Sequence, residues 1–534
     1  MPNGLVIAVS AACFALIGCL GDLGPNAGSD SPGGTTGSGP VGGNAPGGNG
    51  PSLVDCTHRG AGKDHQVGPG LEYEALGDVP FESLVAGDTV RVFWREEPYR
   101  EKLMIGGQGT VDQPIRVCGV PGPGGELPIL DGENATSRPE LQFPFADLQA
   151  RGVVTIGHKH DDLYELNPTN IVLESLEIRN GSPPYTFTDT AGKVLPYAQP
   201  VAGVFVQRGQ GVTIRGCVIT QNNNGIFAGT TGGMELTQDV LIEGNAIYDN
   251  GGVNDPSEHN VYNEASNITY QFNYFGSPRS GAAGVNGSNI KDRSAGAVIR
   301  YNWIEDGAHI LDLVDAQEAS ATTVPMPSFH ATYVYGNVII RSDFSGSMIH
   351  YGGDSYVFEN YRKGTLFFYN NTVVVKNQAY DDYDKPAVFE LSTNEERLDA
   401  RNNVFFSTVS PVNIRPIILL GQRDQVALGQ ASFTSNWVTE GWTPFDPTPG
   451  AAVEVGGQVT GFFESSTFGT APGFRDAAAD DYELTPDSPV RAAGQQLTAE
   501  TVPEPYFIRF QYILHQNGKA RADASPPTLG AFAE

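Results

Sequence analysis

The chain has 534 residues, with 61 acidic side chains against 32 basic ones, a formal charge of −29, 66 Gly and 37 Pro. An acidic, turn-rich chain of this kind argues against nucleic acid or an anionic membrane as the partner of its bulk surface. Its 40% hydrophobic and 10% aromatic content excludes general disorder and allows a large buried core.

Residues 1–19 read as an export signal. "GLVIAVSAACFALIGC" is an apolar run too short to span a bilayer comfortably. Leu16, Ile17, Gly18 and Cys19 resemble the lipobox of bacterial lipoproteins, which implies lipidation at Cys19, although no Lys or Arg precedes the apolar run. An ordinary secretory signal is the other reading, and both take the protein out of the cytoplasm. Residues 20–52, nearly all Gly, Pro, Ser, Asn and Thr, form a flexible linker. The membrane is therefore met only through a lipid anchor, at the outer membrane or cell surface, or else the protein is secreted. Three cysteines follow, and Cys56 with Cys118 is the candidate disulfide because both flank the first structured segment.

Residues 53–140 are expected to form an N-terminal cap and first coils, and residues 141–440 a ladder of coils. Short β-rich phrases recur there with an asparagine in a fixed place: Asn245, Asn273, Asn302, Asn337, Asn371, Asn403 and Asn436, spaced by 28, 29, 35, 34, 32 and 33. Cys217 and Leu176 stand in the same slot upstream. That period is too short for independent domains, and nothing between the phrases shows sustained helical spacing. Stacked coils of parallel strands fit, because inward Val, Ile, Leu and Phe then share one core that no single coil buries. A turn asparagine can bond the coils on either side through its amide. Residues 441–534 are read as C-terminal coils and a cap, and the whole as an all-β single solenoid that is monomeric.

With "SLVAGDTVRVFW", "GTVDQPIRVCGVPGPGGELPILDG" and a closing "DYELTPDSPVRAAG" around that ladder, roughly residues 80–534 resemble the right-handed parallel β-helix proteins of the pectate-lyase-like superfamily. The resemblance implies the fold. It leaves function open, since the fold hosts lyases, hydrolases, epimerases, esterases and adhesins.

A second strand in each coil aligns on Ile226, Val261, Ile290, Leu311, Ile349 and Phe389. With these inward, strict alternation turns Phe227, Tyr262, Lys291, Asp312, His350 and Glu390 outward as one column. At about 4.8 Å between strands, Tyr262, Lys291, Asp312 and His350 come within mutual reach on an exposed face. Flanking columns add Glu264 and Arg293 on one side and Asn260 and Asn289 on the other.

Such a face suits β-elimination on an acidic, uronate-containing polysaccharide. A base removes the proton α to the carboxylate, a cation neutralises that carboxylate, and an acid protonates the leaving oxygen. Lys291 is the candidate base, with Arg293 lowering its pKa and clamping the substrate, and Tyr262 or His350 as the acid. Asn260, Asn289, Phe227 and Glu390 are candidate substrate contacts. "NIKDRS" looks similar to the lysine segment of calcium-assisted β-helical alginate lyases. Asp312 one coil from Lys291 would hold that lysine protonated, a conflict that calcium on Asp312, Asp315 and Glu264 would relieve. Without a metal, Lys291 and Asp312 make an ordinary salt bridge. His259 reads more simply as a turn residue than as a ligand.

Two other classes stand beside this reading: a glycoside hydrolase using paired carboxylates such as Asp312, Asp315 or Glu390, and a non-catalytic surface or adhesion protein. No CxxC pair, HExxH or P-loop appears, so zinc and nucleotide chemistry lack support.

Overall fold

The computed structural model describes residues 55–533 apart from 161, 164–165, 230–236, 253–254, 280–286, 343–346, 377–386, 409–428, 445–456, 504, 515 and 523–524. Residues 1–19, read above as an export signal with Cys19 as its lipidation site, and residues 20–52, read as a linker, lie outside the described residues.

Successive coils visit three long sheets in turn. The described strands form a first sheet of 13, from Asp64–Val67 to Gln458–Thr460, a second of 11 and a third of 12. Pairing along all three is parallel, except for one antiparallel ribbon, Thr186–Thr188 with Val194–Pro196, at the start of the third. The protein is a parallel β-helix, as the repeat predicts, and the described helix amounts to Ser320–Thr323 and a few 3-10 turns. No described helix is long and apolar enough to cross a membrane.

The interior is a continuous apolar stack. Ile226, Val261, Ile290, Leu311, Ile349 and Phe389 follow one another in strict register along the third sheet, all buried. Such coils have no core of their own, so this stacking supplies the burial that holds them. At the corner between the first and second sheets runs the asparagine ladder. Each amide donates from Nδ2 to the next coil's Oδ1, at 3.0 Å for Asn245 to Asn273 and 2.9 Å for Asn302 to Asn337, and backbone N–H groups follow the same path. Cys217 enters the ladder through its backbone N–H to Asn245 and is a free, buried thiol.

A disulfide joins Cys56 to Cys118, fastening the first described residues to the strand Ile115–Val120. Described residues of the C-terminal segment pack on the outside of the coils: Leu497, Val502 and Tyr506 lie against Tyr333 and Tyr335 of the first sheet, and others cover the second sheet. There Tyr482, Leu484, Tyr512 and Phe532 cover outward Trp303, Val338, Val374 and Trp437. The third sheet carries instead the titratable column.

Candidate functional site

The outward column forms in the predicted register. Phe227 pairs with Tyr262, Tyr262 with Lys291, Lys291 with Asp312, Asp312 with His350, and His350 with Glu390. The expected exposure does not follow. Asp312 and His350 are buried, Phe227 is 7% exposed, and Tyr262, Lys291 and Glu390 are half-buried. Turns rising from neighbouring coils roof the column, above all residues 315–319 and 352–355.

Lys291 Nζ donates to Asp312 Oδ2 and to Asp354 Oδ2, both at 2.6 Å. Burial disfavours its ammonium form, but the two carboxylates outweigh burial and the neighbouring Arg293, and its pKa moves up. A lysine so held is a fixed cation, so the assignment of Lys291 as base is corrected: Asp312 and Asp354 win over Arg293. Arg293 forks in three directions. Its Nε donates to the Tyr262 hydroxyl at 3.0 Å, Nη1 to Asp315 O at 2.7 Å and Oδ1 at 3.3 Å, and Nη2 to Asp354 Oδ1 at 3.1 Å. Asp354 is thus gripped by both cations while remaining the most accessible of the three aspartates, 27% exposed against 4% for Asp312 and 0% for Asp315. Burial opposes its charge, yet Lys291 and Arg293 hold it well below the usual carboxylate range.

Tyr262 donates its hydroxyl proton to Glu318 Oε1 at 2.7 Å. Burial, and then Glu318, raise its pKa, so it rests as a phenol between a guanidinium and a carboxylate. Its ring continues a stack with Phe227 at 4.8 Å, and Phe227 stacks on Phe205 at 5.0 Å. Phe227 is therefore a packing residue, and its place as a substrate contact is corrected. His350 bonds Asp312 Oδ1 and Ser392 Oγ, both at 2.9 Å. Burial opposes its charge, but Glu390 and Asp312 lift its pKa to about 9, which leaves an enclosed imidazolium with no route to a leaving group. Its assignment as the acid is corrected accordingly. Glu390 accepts from Ser347 Oγ at 2.6 Å, three strands beyond Lys291. His259 is buried, accepts from Ser288 N at Nδ1, and is pushed by burial and then Lys291 to about 3, hence neutral.

Asn260 and Asn289, expected to touch substrate, are fully buried members of a second amide ladder. It runs from Asn222 through Asn250 and Asn260 to Asn289 in steps of 3.0 Å at the corner between the second and third sheets. Their side chains hold coils together, which is the correction and its reason.

The three carboxylates expected to hold calcium are not brought together. Asp312 is spent on Lys291 and His350. Asp315 Oδ1 accepts from Arg293 and from Asp354 N at 2.8 Å. Glu264 accepts the backbone N–H groups of Gln317, Glu318 and Ala319 at 2.7–3.0 Å, clasping the turn that carries Glu318. Calcium wants several oxygens converging on one point, and these residues do not fit it. His309, Asp312 and His350 have donor atoms within 4.8 Å of one another, but Lys291 and the His350 proton already compensate that aspartate.

Sequence reasoning missed Asp354 and Glu318, which come from turns rather than strands. The signal for Asp354 is the Gly352-Gly353 pair before it. A Cβ on Gly353 would lie 2.3 Å from the Tyr361 ring, and one on Gly352 would lie 2.4 Å from Ser392 Oγ, so only glycines let the turn fold inward over the column.

No protein-family model and no curated protein matches the chain. Among solved structures it is similar to an alginate lyase from Paenibacillus sp. str. FPU-7, at 11% identity and a TM-score of 0.36, covering 60% of this chain and 89% of that one. Pectate lyase Pel9A is 11% identical with a TM-score of 0.41, covering 88% and 96%. The DFA-IIIase from Arthrobacter chlorophenolicus A6, in complex with DFA-III, is 12% identical with a TM-score of 0.34, covering 66% and 73%. Similarities of this size carry no argument about substrate or reaction.

Proposed function

We propose that the protein acts on a uronate-containing polysaccharide and cleaves it by β-elimination at the Lys291–Arg293–Tyr262 cluster. The observation that supports this most is the grip on Asp354. One carboxylate is held by Lys291 Nζ and Arg293 Nη2 together, with the Tyr262 hydroxyl on the same guanidinium. A substrate uronate taking the place of Asp354 would have its charge neutralised by the same two cations, which favours the enolate that forms when the α proton leaves. Tyr262 then serves as the relay. The sugar proton passes to its oxygen as its own proton goes to Glu318, and the same path returns a proton to the departing glycosidic oxygen as the carbon–oxygen bond breaks. Arg293 stabilises the charge that grows on the phenol oxygen. No metal is needed in any of these steps.

The hydrolase reading is less well supported, because Asp312 and Asp315 are turned into the protein rather than toward a sugar. The Cys56–Cys118 disulfide supports an oxidising compartment, in keeping with the export signal and the proposed lipid anchor at Cys19.

The test is to incubate the purified protein with alginate, pectate and glycosaminoglycans and to follow the ultraviolet absorbance of an unsaturated uronate alongside reducing ends. Tyr262→Phe is expected to cut the rate by roughly a hundredfold or more while leaving the melting temperature close to wild type. New reducing ends without absorbance would replace elimination by hydrolysis. No cleavage of any polymer would leave a binding or adhesion protein.

A further inference from the structure

A groove of about 660 Å³ lies at the corner between the first and second sheets, the one corner of the coil that the third sheet does not touch. Its walls come from three places: the segment after Asp55, the turns at residues 215–216, 243–244 and 271–272, and the hairpin Phe510–Ile513 with Asn517–Ala520.

Its charge runs against the rest of the molecule. Arg59, Arg116, Arg215 and Arg300 line it, and they face three carboxylates, Asp55, Glu243 and the buried Glu174 that pins Arg116 and Arg215 from below. A local surplus of positive charge in a chain of −29 points to an anionic ligand. Arg300 carries most of that inference. Its Nε donates to Gln271 Oε1 at 2.8 Å and Nη1 to the Tyr335 hydroxyl at 3.0 Å, and it pairs with no carboxylate among the described residues. Two neutral acceptors orient the guanidinium without neutralising it, the condition in which a planar fork takes a carboxylate or sulfate.

The backbone supplies an independent observation. The residue before each ladder position, Cys217 and the asparagines after it, stands at positive φ, and Gly216, Gly244 and Gly336 fill that place without strain. Phe272 and Tyr301 fill it with φ of 56° each, where a bulky side chain is an outlier. Tyr301 is buried and accepts from Arg509 N, so packing explains it. Phe272 is half-buried against Tyr301 at 5.3 Å and meets Phe510 edge to face at 5.9 Å, and both phenylalanines line the groove. Phe510 is 42% exposed. Aromatic faces beside guanidinium forks and the amides of Gln516 and Asn517 match a sugar ring that carries an acid group. The apolar ring face stacks, the hydroxyls bond the amides, and the anion meets arginine.

We infer that this groove is a second, non-catalytic binding site for an anionic glycan, carboxylated or sulfated, distinct from the cluster on the third sheet. It requires no cleavage, so it stands or falls apart from the lyase proposal. The test is calorimetric titration of the full chain with trigalacturonate, its methyl ester, a sulfated disaccharide and inorganic sulfate, with hydrogen exchange followed on the hairpin at 510–520. An acidic sugar is expected to bind and to protect that hairpin. Arg215→Gln with Arg300→Gln is expected to weaken binding at least tenfold, and Phe510→Ala severalfold at an unchanged melting temperature. Protection by the sulfated sugar alone, or by the carboxylated one alone, would name the acid group. The proposal is overturned if the hairpin is unprotected by every acidic sugar, if the arginine variants bind like wild type, or if the methyl ester or inorganic sulfate binds as tightly as the acidic sugars.

Discussion

Asp292 sits between Lys291 and Arg293 and points the opposite way, into the core, where it meets Arg362. Both side chains are fully buried, with Arg362 Nη2 at 3.0 Å from Asp292 Oδ1. The same guanidinium donates to the backbone oxygens of Asp292, Ser294 and Val314 and to Thr332 Oγ1. Arg362→Met keeps the length and removes every donor. Breaking one side of a buried pair costs about 3–5 kcal/mol. Asp292 keeps bonds from the Tyr270 hydroxyl at 2.7 Å and Ser294 N at 2.9 Å, which pulls that cost to the lower end, about 3 kcal/mol. The carbonyls left under-satisfied add about 1 kcal/mol, so the expected loss is about 4 kcal/mol. Asp292→Asn combined with Arg362→Met leaves no unpaired charge, so the double variant is expected to be about 2 kcal/mol more stable than additivity predicts. Guanidinium unfolding at unchanged m-value gives all four corners of the cycle. A loss under about 1 kcal/mol for Arg362→Met, or an additive cycle, would refute the claim that this pair anchors the strand presenting both cations.

Other perturbations have equally definite signs. Asp354→Asn removes the carboxylate that competes for the substrate position, so uronate oligosaccharides are expected to bind about tenfold more tightly, a gain of about 1.4 kcal/mol; weaker binding in a titration would sink the idea that Asp354 stands in for substrate. For His350, burial opposes protonation but Glu390 and Asp312 raise its pKa to about 9, above its unfolded value of about 6.5. Its stabilisation is therefore complete below about pH 6.5 and is lost as pH rises through about 9. Melting temperature should fall across that window, and His350→Gln should flatten the fall. Reducing the Cys56–Cys118 bond releases a 62-residue separation, expected to cost roughly 4 kcal/mol, and a melting scan with and without reductant reads it.

Strand alternation alone was enough to place Phe227, Tyr262, Lys291, Asp312, His350 and Glu390 in one column, because a period of two leaves a parallel strand no freedom once its core residue is chosen. The asparagine slot was legible for the same reason: its repeat is tied to one corner. Asn260 and Asn289 were misread because a buried amide and a sugar-binding amide look alike until the partner at 3.0 Å is known. The protonation state of Lys291 was half legible. Asp312 follows from register, whereas Asp354 arrives from a turn 63 residues away whose path depends on two glycines finding room beside Tyr361 and Ser392. Turns have no period, so neither Asp354 nor Glu318 left a trace in any column.

The asparagine ladder has a direction. Every amide from Asn245 to Asn403 donates forward and accepts from behind, so each coil offers its successor the same docking face that it used on its predecessor. A whole coil can therefore be duplicated or deleted without disturbing the joints on either side, whereas the gain or loss of one residue at that corner throws every later amide out of line. Molecules built this way change length by whole coils, and the distance between two sites along the axis becomes a heritable quantity that is altered in units of one strand spacing.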